Sequence, residues 1–600
     1  MPTLHEMEAL LRERSTATGS LTDAIRYAHS YLQSPECQKA AVDVFPPTQL
    51  AHSIGKLCRC RGMIQEVQPE LHLFCASGQN FFSCGGPRKA MDGDDVQYTD
   101  AVSLYVIPVP GNLHFYAADE PSRSFDAAHS TTLGKRTDRD GDASTAATVP
   151  RTEDDRIRKH ARHTIDTSDA HDPPEKSSAL SCAEPYLNFP HPSCSPQLQG
   201  ACVVTVLLPT GDGARQNPFR INDVIDFYGY QHFPEDQLPV NEADDFERFS
   251  AWNATELSRG LVSRLLCLSY APISSLAVRR HIAVTELIAS RITEARSSAI
   301  EYLTETLTKG DALTAEYVLL HLCAKVHAHS ASMPVGDLPL LICSPNLVVA
   351  EWSAQLREIV PVAEILLTGD TLQLPAPRRL TPKYNNELNY LESGVLQVAN
   401  GTHLTIDCAS LSGQDEAWYE GMFALVHKQL LLLEYPYQTL ELPVDVSALA
   451  LDTSNAPDAV HPLFRFATRL RWSADASISP QEAAHTDHFS SGAVRDYLDA
   501  VRCLDASSEM DDTLSERASR ALFELSENLP CWNNRDSLLH NNSFSAAMAL
   551  MRAHAASHGR ASFAAEDIAA VYELERLRME RLSASPDSAR ATASTDTEWH

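Results

Sequence analysis

The fold of this 600-residue chain is organised around one stretch, which reads Lys309-Gly310-Asp311-Ala312-Leu313-Thr314-Ala315-Glu316-Tyr317-Val318-Leu319-Leu320-His321-Leu322. The Gly310-Asp311 pair is typical of a turn, and Asp is a favoured residue at a helix N-cap. Apolar residues then recur at helical spacing, at positions 315, 318, 319, 322 and 326. The stretch therefore predicts a loop that leads into an amphipathic helix.

Two interpretations of this loop are open at the level of sequence. A phosphate-binding loop needs a Lys just inside its helix, followed by a Ser or Thr for magnesium, but Glu316 and Tyr317 stand at those places. A unit charge at ~4 Å and an effective dielectric constant of ~20 is worth about 4 kcal/mol, so a Glu would turn attraction for phosphate into repulsion. The stretch is either a phosphate loop without its chemistry or an ordinary N-capped helix.

A second stretch, residues 391–408, contains an apolar strand that ends in Asp407. In P-loop ATPases an acid at the end of such a strand holds magnesium. A second carboxylate should follow it to polarise the attacking water, but the next residue is Cys408. The pattern therefore predicts a strand-end acid without the partner that ATP hydrolysis needs.

Composition excludes several classes of protein. Apolar residues make up 44% of the chain, yet no run approaches the ~20 apolar residues of a membrane span. The 14 Cys include no C-x-x-C pair, so we expect neither structural zinc nor disulfides. The N-terminus lacks the basic-then-apolar order of a signal peptide, which predicts the cytosol or nucleus. The formal charge of −30 disfavours direct nucleic-acid binding and fits a basic or DNA-binding partner.

The chain divides by pattern into α-helical, β and low-complexity segments. We predict a helical segment at 1–45, two halves of a small β-barrel at 46–116 and 185–232, a disordered insert at 117–184 and a linker at 233–269. The insert is predicted to be disordered because it contains scarcely any large apolar residue. Its basic cluster at 135–162 is either a nuclear-import signal or a solvated linker.

Helices alternate with apolar strand candidates in the second half of the chain, which favours a parallel sheet. The candidates lie at 338–343, 360–367, 402–406 and 444–451. We predict an α/β core at 270–470, a helical lid at 490–583 and a disordered tail at 584–600.

Several of these stretches resemble the minichromosome maintenance (MCM) replicative helicases. Residues 391–408 are similar to their L-E-x-G-A-L-V-L-A-D-x-G-V-x-x-I-D-E segment, and the Gly310 stretch is similar to their G-D-P-G-x-A-K-S. Residues 551–568 are similar to their ATPase lid, and its phosphate-sensing Arg then falls on Asn542. Residues 60–64 and 219–224 look like strands of their N-terminal OB barrel.

The chain resembles the MCM complex-binding protein family more closely than the helicases. The matching stretches lie at 61–66, 108–111, 187–190, 219–229, 310–322 and 393–397. In that family Glu316 and Tyr317 are the expected residues. The resemblance implies an α+β multidomain fold, in which an N-terminal OB-like β-barrel with a disordered insert is followed by a degenerate AAA+-like α/β core and a helical lid.

The same resemblance implies a nuclear, non-catalytic factor that binds MCM helicase subunits as a subunit mimic, in assembly, nuclear retention or unloading from chromatin. It predicts an interface within 270–583, no catalytic residue, no cofactor and no metal. It also implies a vestigial nucleotide site, which comprises Gly310, Asp311, Glu316, Tyr317, Asp407, Cys408 and Asn542.

Two other functions are kept as alternatives. An active AAA+ ATPase would need other residues to supply the phosphate-binding Lys and the catalytic carboxylate, which Glu316 and Cys408 replace. A single-strand DNA-binding OB protein would stack bases on aromatic residues. The candidates for that role are Phe74, Phe81, Phe82, Phe227, Tyr228 and Tyr230, which are also ordinary barrel-core residues.

Overall fold

The structure is a computed structural model. It describes residues 3–45, 55–68, 72–76, 97–111, 201–208, 217–231, 263–273, 291–330, 333–369, 379–386, 390–411, 416–454, 461–464, 466–472, 490–504, 512–528 and 543–583. The predicted insert, its basic cluster, Asn542 and the C-terminal tail lie outside the described residues.

Three helices precede the first sheet, and each begins at a hydroxyl-bearing cap. They are α1 (Leu4–Thr18), α2 (Leu21–Leu32) and α3 (Pro35–Ala40). Thr3 and Glu6 form a capping box on α1, and the Ser20 hydroxyl accepts the Asp23 N–H on α2. The apolar faces of α1 and α2 pack on one side of the sheet that follows.

Seven strands form the first sheet. They are β1 (Val42–Asp43), β2 (Leu57–Val67), β3 (His72–Ala76), β4 (Gln97–Ile107), β5 (Cys202–Leu207), β6 (Val224–Gln231) and β7 (Ser263–Pro272). The order is β1-β2-β6-β7-β5-β4-β3, and β2 also pairs with β4. Strands β2, β6, β7, β5 and β4 therefore close into a ring. Within the ring β5 and β7 are parallel, and the other neighbours are antiparallel.

Strand β7 corrects the predicted linker at 233–269, because its first residues fall inside that segment. Leu265 and Cys267 point into the barrel, whereas Leu266 and Leu268 pack under α1 and α2. Both faces of the strand are therefore buried. Alternation of polar and apolar residues, the usual signal of a half-exposed strand, is absent for that reason.

The predicted parallel sheet is confirmed. Strands β10 (Leu340–Cys343), β11 (Ala363–Leu367), β14 (Thr402–Asp407), β17 (Val446–Asp452) and β18 (Thr468–Arg471) are parallel in the order β11-β14-β17-β10-β18. The remaining strands are β8 (Ala328–Ser330), β9 (Met333–Val335), β12 (Lys383–Asn385), β13 (Tyr390–Glu392), β15 (Leu430–Tyr435) and β16 (Gln438–Pro443). Four of them form a second sheet with the order β13-β12-β15-β16, and β8 pairs with β9.

Helices precede, separate and follow these strands along the described sequence. They are α4 (Ile292–Tyr302), a π-helical turn (Leu303–Leu307), α5 (Ala312–Cys323), α6 (Val349–Ile359), α7 (Glu416–Lys428), a 3-10 turn (Pro462–Phe464), α8 (Ser491–Arg502), α9 (Asp512–Asn528), α10 (Ser543–Ser557) and α11 (Ala565–Ser583). Helix α8 packs against α4 and α6, and α10 packs against α5 and α11. Within the described ranges, no helix combines the length and apolar character needed to span a bilayer.

Gly229 provides a test of barrel packing. The register of β6 and β7 shifts between Tyr228 and Gly229, and a Cβ at Gly229 would lie 1.9 Å from the Leu266 carbonyl oxygen. We expect Gly229→Ala to lower the free energy of unfolding by about 1–3 kcal/mol or more, because the backbone of β7 must move. The measurement is urea unfolding followed by circular dichroism. Gly492→Ala is the control, since a Cβ there meets no heavy atom closer than 3.6 Å. Equal midpoints for the two variants would contradict this packing.

Candidate functional site

The Gly310 loop caps a helix. The carboxylate of Asp311 accepts the Thr314 N–H at 3.1 Å and the Thr314 hydroxyl at 2.7 Å, and Gly310 has φ +96°. Helix α5 follows α4 and the π-helical turn, and the described residues 291–311 that lead into it contain no strand. A P-loop is a strand–loop–helix unit. The stretch therefore lacks the context of a phosphate loop, and the structure supports the N-cap interpretation.

Glu316 and Tyr317 are bound to other helices of the protein. Glu316 forms an ion pair with Arg296 on α4. Tyr317 is fully buried, and its hydroxyl donates to Glu575 Oε1 at 2.7 Å on α11. Burial raises the pKa of Tyr317 well above its usual value, so it stays a donor. Arg578 donates to both Glu575 oxygens, at 2.9 and 2.6 Å.

The turn before α5 is held at the carboxyl end of β18. Arg581 on α11 donates to Asp311 Oδ2 at 2.6 Å. The indole N–H of Trp472, which follows β18, donates to the Thr308 carbonyl at 2.9 Å. Asp311 is therefore shared between the helix cap and an ion pair, and has no structural sign of a ligand role.

A strand–loop–helix unit of the core lies elsewhere, at β10, residues 344–348 and α6. This loop reads Ser-Pro-Asn-Leu-Val and contains neither Gly nor Lys. The Ser344 N–H donates to the Asp452 carbonyl at 3.0 Å, and the Leu347 N–H donates to the Ser344 carbonyl at 3.3 Å. These two backbone donors of the loop are thus used within the protein, and no Lys is present to hold a phosphate. The sequence signal for this unit was the apolar run at 340–343 directly before a Ser-Pro pair.

Asp407 and Cys408 lie at the carboxyl end of β14, as predicted for a strand-end acid. Asp407 Oδ1 accepts the N–H groups of Ala409 at 3.1 Å and Ser410 at 3.4 Å. Burial, reinforced by the nearby Asp452 carboxylate, raises the pKa of Cys408 well above its usual value. Cys408 is therefore a neutral thiol that cannot serve as a general base at neutral pH.

The residues predicted for one vestigial site fall into two sets by the elements to which they belong. Asp407 and Cys408 lie at the carboxyl edge of the parallel sheet, together with Asp452. Four others, Gly310, Asp311, Glu316 and Tyr317, belong to the junction of α5 with its neighbouring helices. Asn542 falls outside the described residues. In the described part of the chain, no three His, Cys, Asp or Glu side chains are grouped so that they could hold a metal ion.

His321 on α5 and His403 on β14 form a buried histidine pair. His321 Nδ1 lies 2.6 Å from the Leu338 carbonyl, and its Nε2 lies 3.0 Å from His403 Nε2. Nδ1 must carry the proton to donate to a carbonyl, so Nε2 accepts from His403. Burial lowers the pKa of His321 to about 4 and that of His403 well below its usual value. The pair is neutral, and it links α5 to β14.

The barrel offers little to single-stranded DNA. Phe227, Tyr228 and Tyr230 are at most 1% exposed and cannot stack on bases. Arg61 donates to both oxygens of Asp226, at 2.8 and 3.0 Å, so its charge is neutralised. For the remaining candidates, Phe81, Phe82 and the side chain of Phe74 lie outside the described part.

Fold and site together define a chain with a closed five-stranded barrel and a parallel α/β core whose strand–loop–helix unit lacks phosphate-binding residues. A family model described as "Mini-chromosome maintenance replisome factor" matches residues 47–582, and the chain belongs to this family. The resemblance found from sequence is therefore confirmed.

Proteins named "Mini-chromosome maintenance complex-binding protein" are similar to this chain in several organisms. The Arabidopsis thaliana protein is 26% identical over 394 residues, which is 61% of each chain. The Salmo salar protein is 27% identical over 288 residues, or 44% of each, and the Gallus gallus protein is 25% identical over 307 residues, or 45% of each. The chain thus spans less than two thirds of the curated relatives it matches.

Restoring the phosphate-loop residues tests the assignment of α5. We expect Glu316→Lys/Tyr317→Ser to gain no ATP binding, because no strand leads into this helix. The variant should lose about 3 kcal/mol or more of stability, since a buried aromatic ring and the Arg296 ion pair are removed. Equilibrium dialysis with labelled ATP and urea unfolding measure the two effects. Glu316→Gln/Tyr317→Phe is the isosteric control, and saturable ATP binding by the Lys/Ser variant would refute the assignment.

The pH dependence of stability tests the neutral histidine pair. His321 titrates at 6.5 when unfolded and at about 4 in the fold, so between these values only the unfolded chain binds the proton. The contribution of His321 to the free energy of unfolding therefore falls as pH falls below 6.5, by about 2 kcal/mol at pH 5, and is constant above pH 7. Glu66 and Asp337, whose pKa values burial raises to about 7, change the free energy of unfolding in the opposite direction. The His321 contribution is therefore the part of the difference between pH 5 and pH 8 that depends on this side chain.

Urea midpoints at pH 5 and pH 8 measure this difference. His321→Gln should raise the free energy of unfolding at pH 5 relative to pH 8 by about 2 kcal/mol. His5→Gln should leave the difference unchanged, because the His5 side chain is 94% exposed. A His321→Gln protein with the full wild-type difference would show that the pair does not titrate in this way.

Proposed function

We propose that this chain is a non-catalytic binding and assembly factor of the MCM replicative helicase complex. It acts in the nucleus as a mimic of one subunit, in MCM assembly, nuclear retention or unloading from chromatin during DNA replication. Membership of the replisome-factor family and the names of the similar proteins support this role.

The barrel and the α/β core each support a mimic of a helicase subunit. The closed five-stranded ring is what an OB barrel requires. The core has a parallel sheet, a strand–loop–helix unit and a strand-end acid at Asp407, which are the parts of an AAA+-like ATPase. We assign the two regions to these folds on that basis.

The loop at 344–348 is the observation that carries the non-catalytic role. It lacks the Lys and Gly of a P-loop, and the neutral Cys408 stands where hydrolysis needs a carboxylate. Helicase rings are assembled through heterologous interfaces, so a degenerate copy can present a similar face to a neighbour. Without catalytic charges it could not complete a working ring, which suits an assembly factor. We place the interface within 270–583.

The role is tested by affinity isolation of the tagged full chain from nuclear extract, with the bound proteins counted by mass spectrometry. We expect several MCM subunits to be recovered and one regular subunit to be strongly depleted, because the mimic takes its place. The purified chain should show no ATPase activity. Recovery of no MCM subunit, or ATP hydrolysis that Asp407→Asn abolishes, would contradict the proposal.

A further inference from the structure

A β-hairpin projects from the second sheet. Strands β15 and β16, with the two-residue turn Pro436-Tyr437 between them, form what we call the arm, residues 430–443. Tyr437 is 100% exposed and Leu440 is 42% exposed. Strand β16 lies at the edge of its sheet, and each of its residues except Leu442 is exposed. Tyr437 is therefore a large aromatic side chain that lies in solvent at the tip of a strand pair.

The base of the arm is rigidly anchored. Leu431 and Leu433 are buried in the apolar cluster of the core. The side-chain amide of Gln429 accepts the Val446 N–H and donates to the Val446 carbonyl, both at 2.8 Å. The Val444 N–H donates to the Gln429 carbonyl at 2.9 Å, which closes the base of the hairpin.

One side of the arm is braced up to the turn. The Thr381 hydroxyl donates to Glu434 Oε1 at 2.8 Å, and Lys383 lies 3.5 Å from the same carboxylate. The rings of Tyr384 and Tyr435 are stacked with centroids 5.5 Å apart. These contacts extend to Tyr435, the residue directly before the turn. The tip is therefore held in place before a partner binds. Such preorganisation reduces the entropy lost on binding.

The charge of the arm indicates the chemistry of its partner. Between positions 429 and 443 there are two carboxylates and neither Lys nor Arg. Glu434 is paired with Lys383, whereas Glu441 is exposed on β16. Nucleic acids are bound through cations, so this surface does not suit them. An exposed Tyr is typical of the residues that dominate protein–protein binding energy. An exposed Tyr and Leu with the exposed carboxylate of Glu441 next to them fit an apolar protein pocket that has a Lys or Arg on its rim.

We propose that the arm docks Tyr437 and Leu440 into an apolar, basic-rimmed pocket on an MCM subunit. This inference rests on the proposed function and names the segment that makes the contact. Glu441 faces the basic rim, and the backbone of β16 is available at the sheet edge beside it.

The test measures binding of the full chain to the assembled MCM complex and to each purified MCM subunit. Tyr437→Ala should raise Kd at least about tenfold. Glu441→Lys should raise it about threefold or more and flatten its dependence on salt. Tyr31→Ala and Glu13→Lys are matched controls, because both residues are exposed on α2 and α1, outside the range 270–583, and should leave Kd unchanged. Thermal midpoints of all four variants should equal the wild-type value.

The outcomes separate the arm from the proposed function. If Tyr437→Ala and Glu441→Lys bind as tightly as the wild type, the proposal that the arm makes the contact is wrong, and the proposed function stands. Wild-type failure to bind any MCM subunit would overturn the function and remove the partner of the arm. A labelled 30-nucleotide single strand tested in parallel should not bind, and binding that Tyr437→Ala abolishes would replace the protein partner with nucleic acid.

Discussion

The buried contact between Tyr317, Glu575 and Arg578 constrains the whole α/β core. Glu575 is 2% exposed and Arg578 is 3% exposed. Removing one partner of such a buried ion pair costs about 3–5 kcal/mol, because the other charge is left unpaired in the interior. Helix α5 is thus tied to α11, and the Asp311–Arg581 pair repeats the connection one turn away. Helices distant in sequence are packed together as a consequence.

This constraint also explains why the start of α5 does not have the open geometry of a phosphate site. A phosphate site needs backbone donors and a cation that face open space at a helix start. The start of α5 is covered by Arg581 and Trp472, and the Ser344 and Leu347 N–H groups of the loop before α6 are bound within the protein. Packing therefore occupies the start of α5, and side-chain contacts set its geometry.

Much of the fold could be predicted from the sequence, and the exceptions have physical causes. Strands β10 and β14 are predictable because strands of a parallel sheet are buried on both faces and so read as apolar runs. Strand β7 is also buried on both faces, but the sequence on either side of it has no clear helix or strand periodicity. It therefore could not be predicted. The Gly310 loop was ambiguous because an N-cap and a phosphate loop share their local signal. Only the preceding element, helix or strand, distinguishes them, and that is a property of topology. The arm was missed because the run Leu430–Leu433 fits a core helix as well as a strand.

The barrel and the arm are connected through one series of contacts. Glu66, at the end of β2 in the barrel, accepts the Leu391 N–H at 3.1 Å, and Gln397 donates to the Gln65 carbonyl at 2.7 Å. Burial raises the pKa of Glu66 to about 7, so much of this carboxyl is protonated at neutral pH and can be accommodated without a cation. Leu391 lies in β13, which pairs with β12, and β12 pairs with β15 of the arm. The position of the arm is therefore fixed relative to the barrel as well as to the core. A partner that contacts both would meet a preformed surface, which reduces the entropy lost on binding.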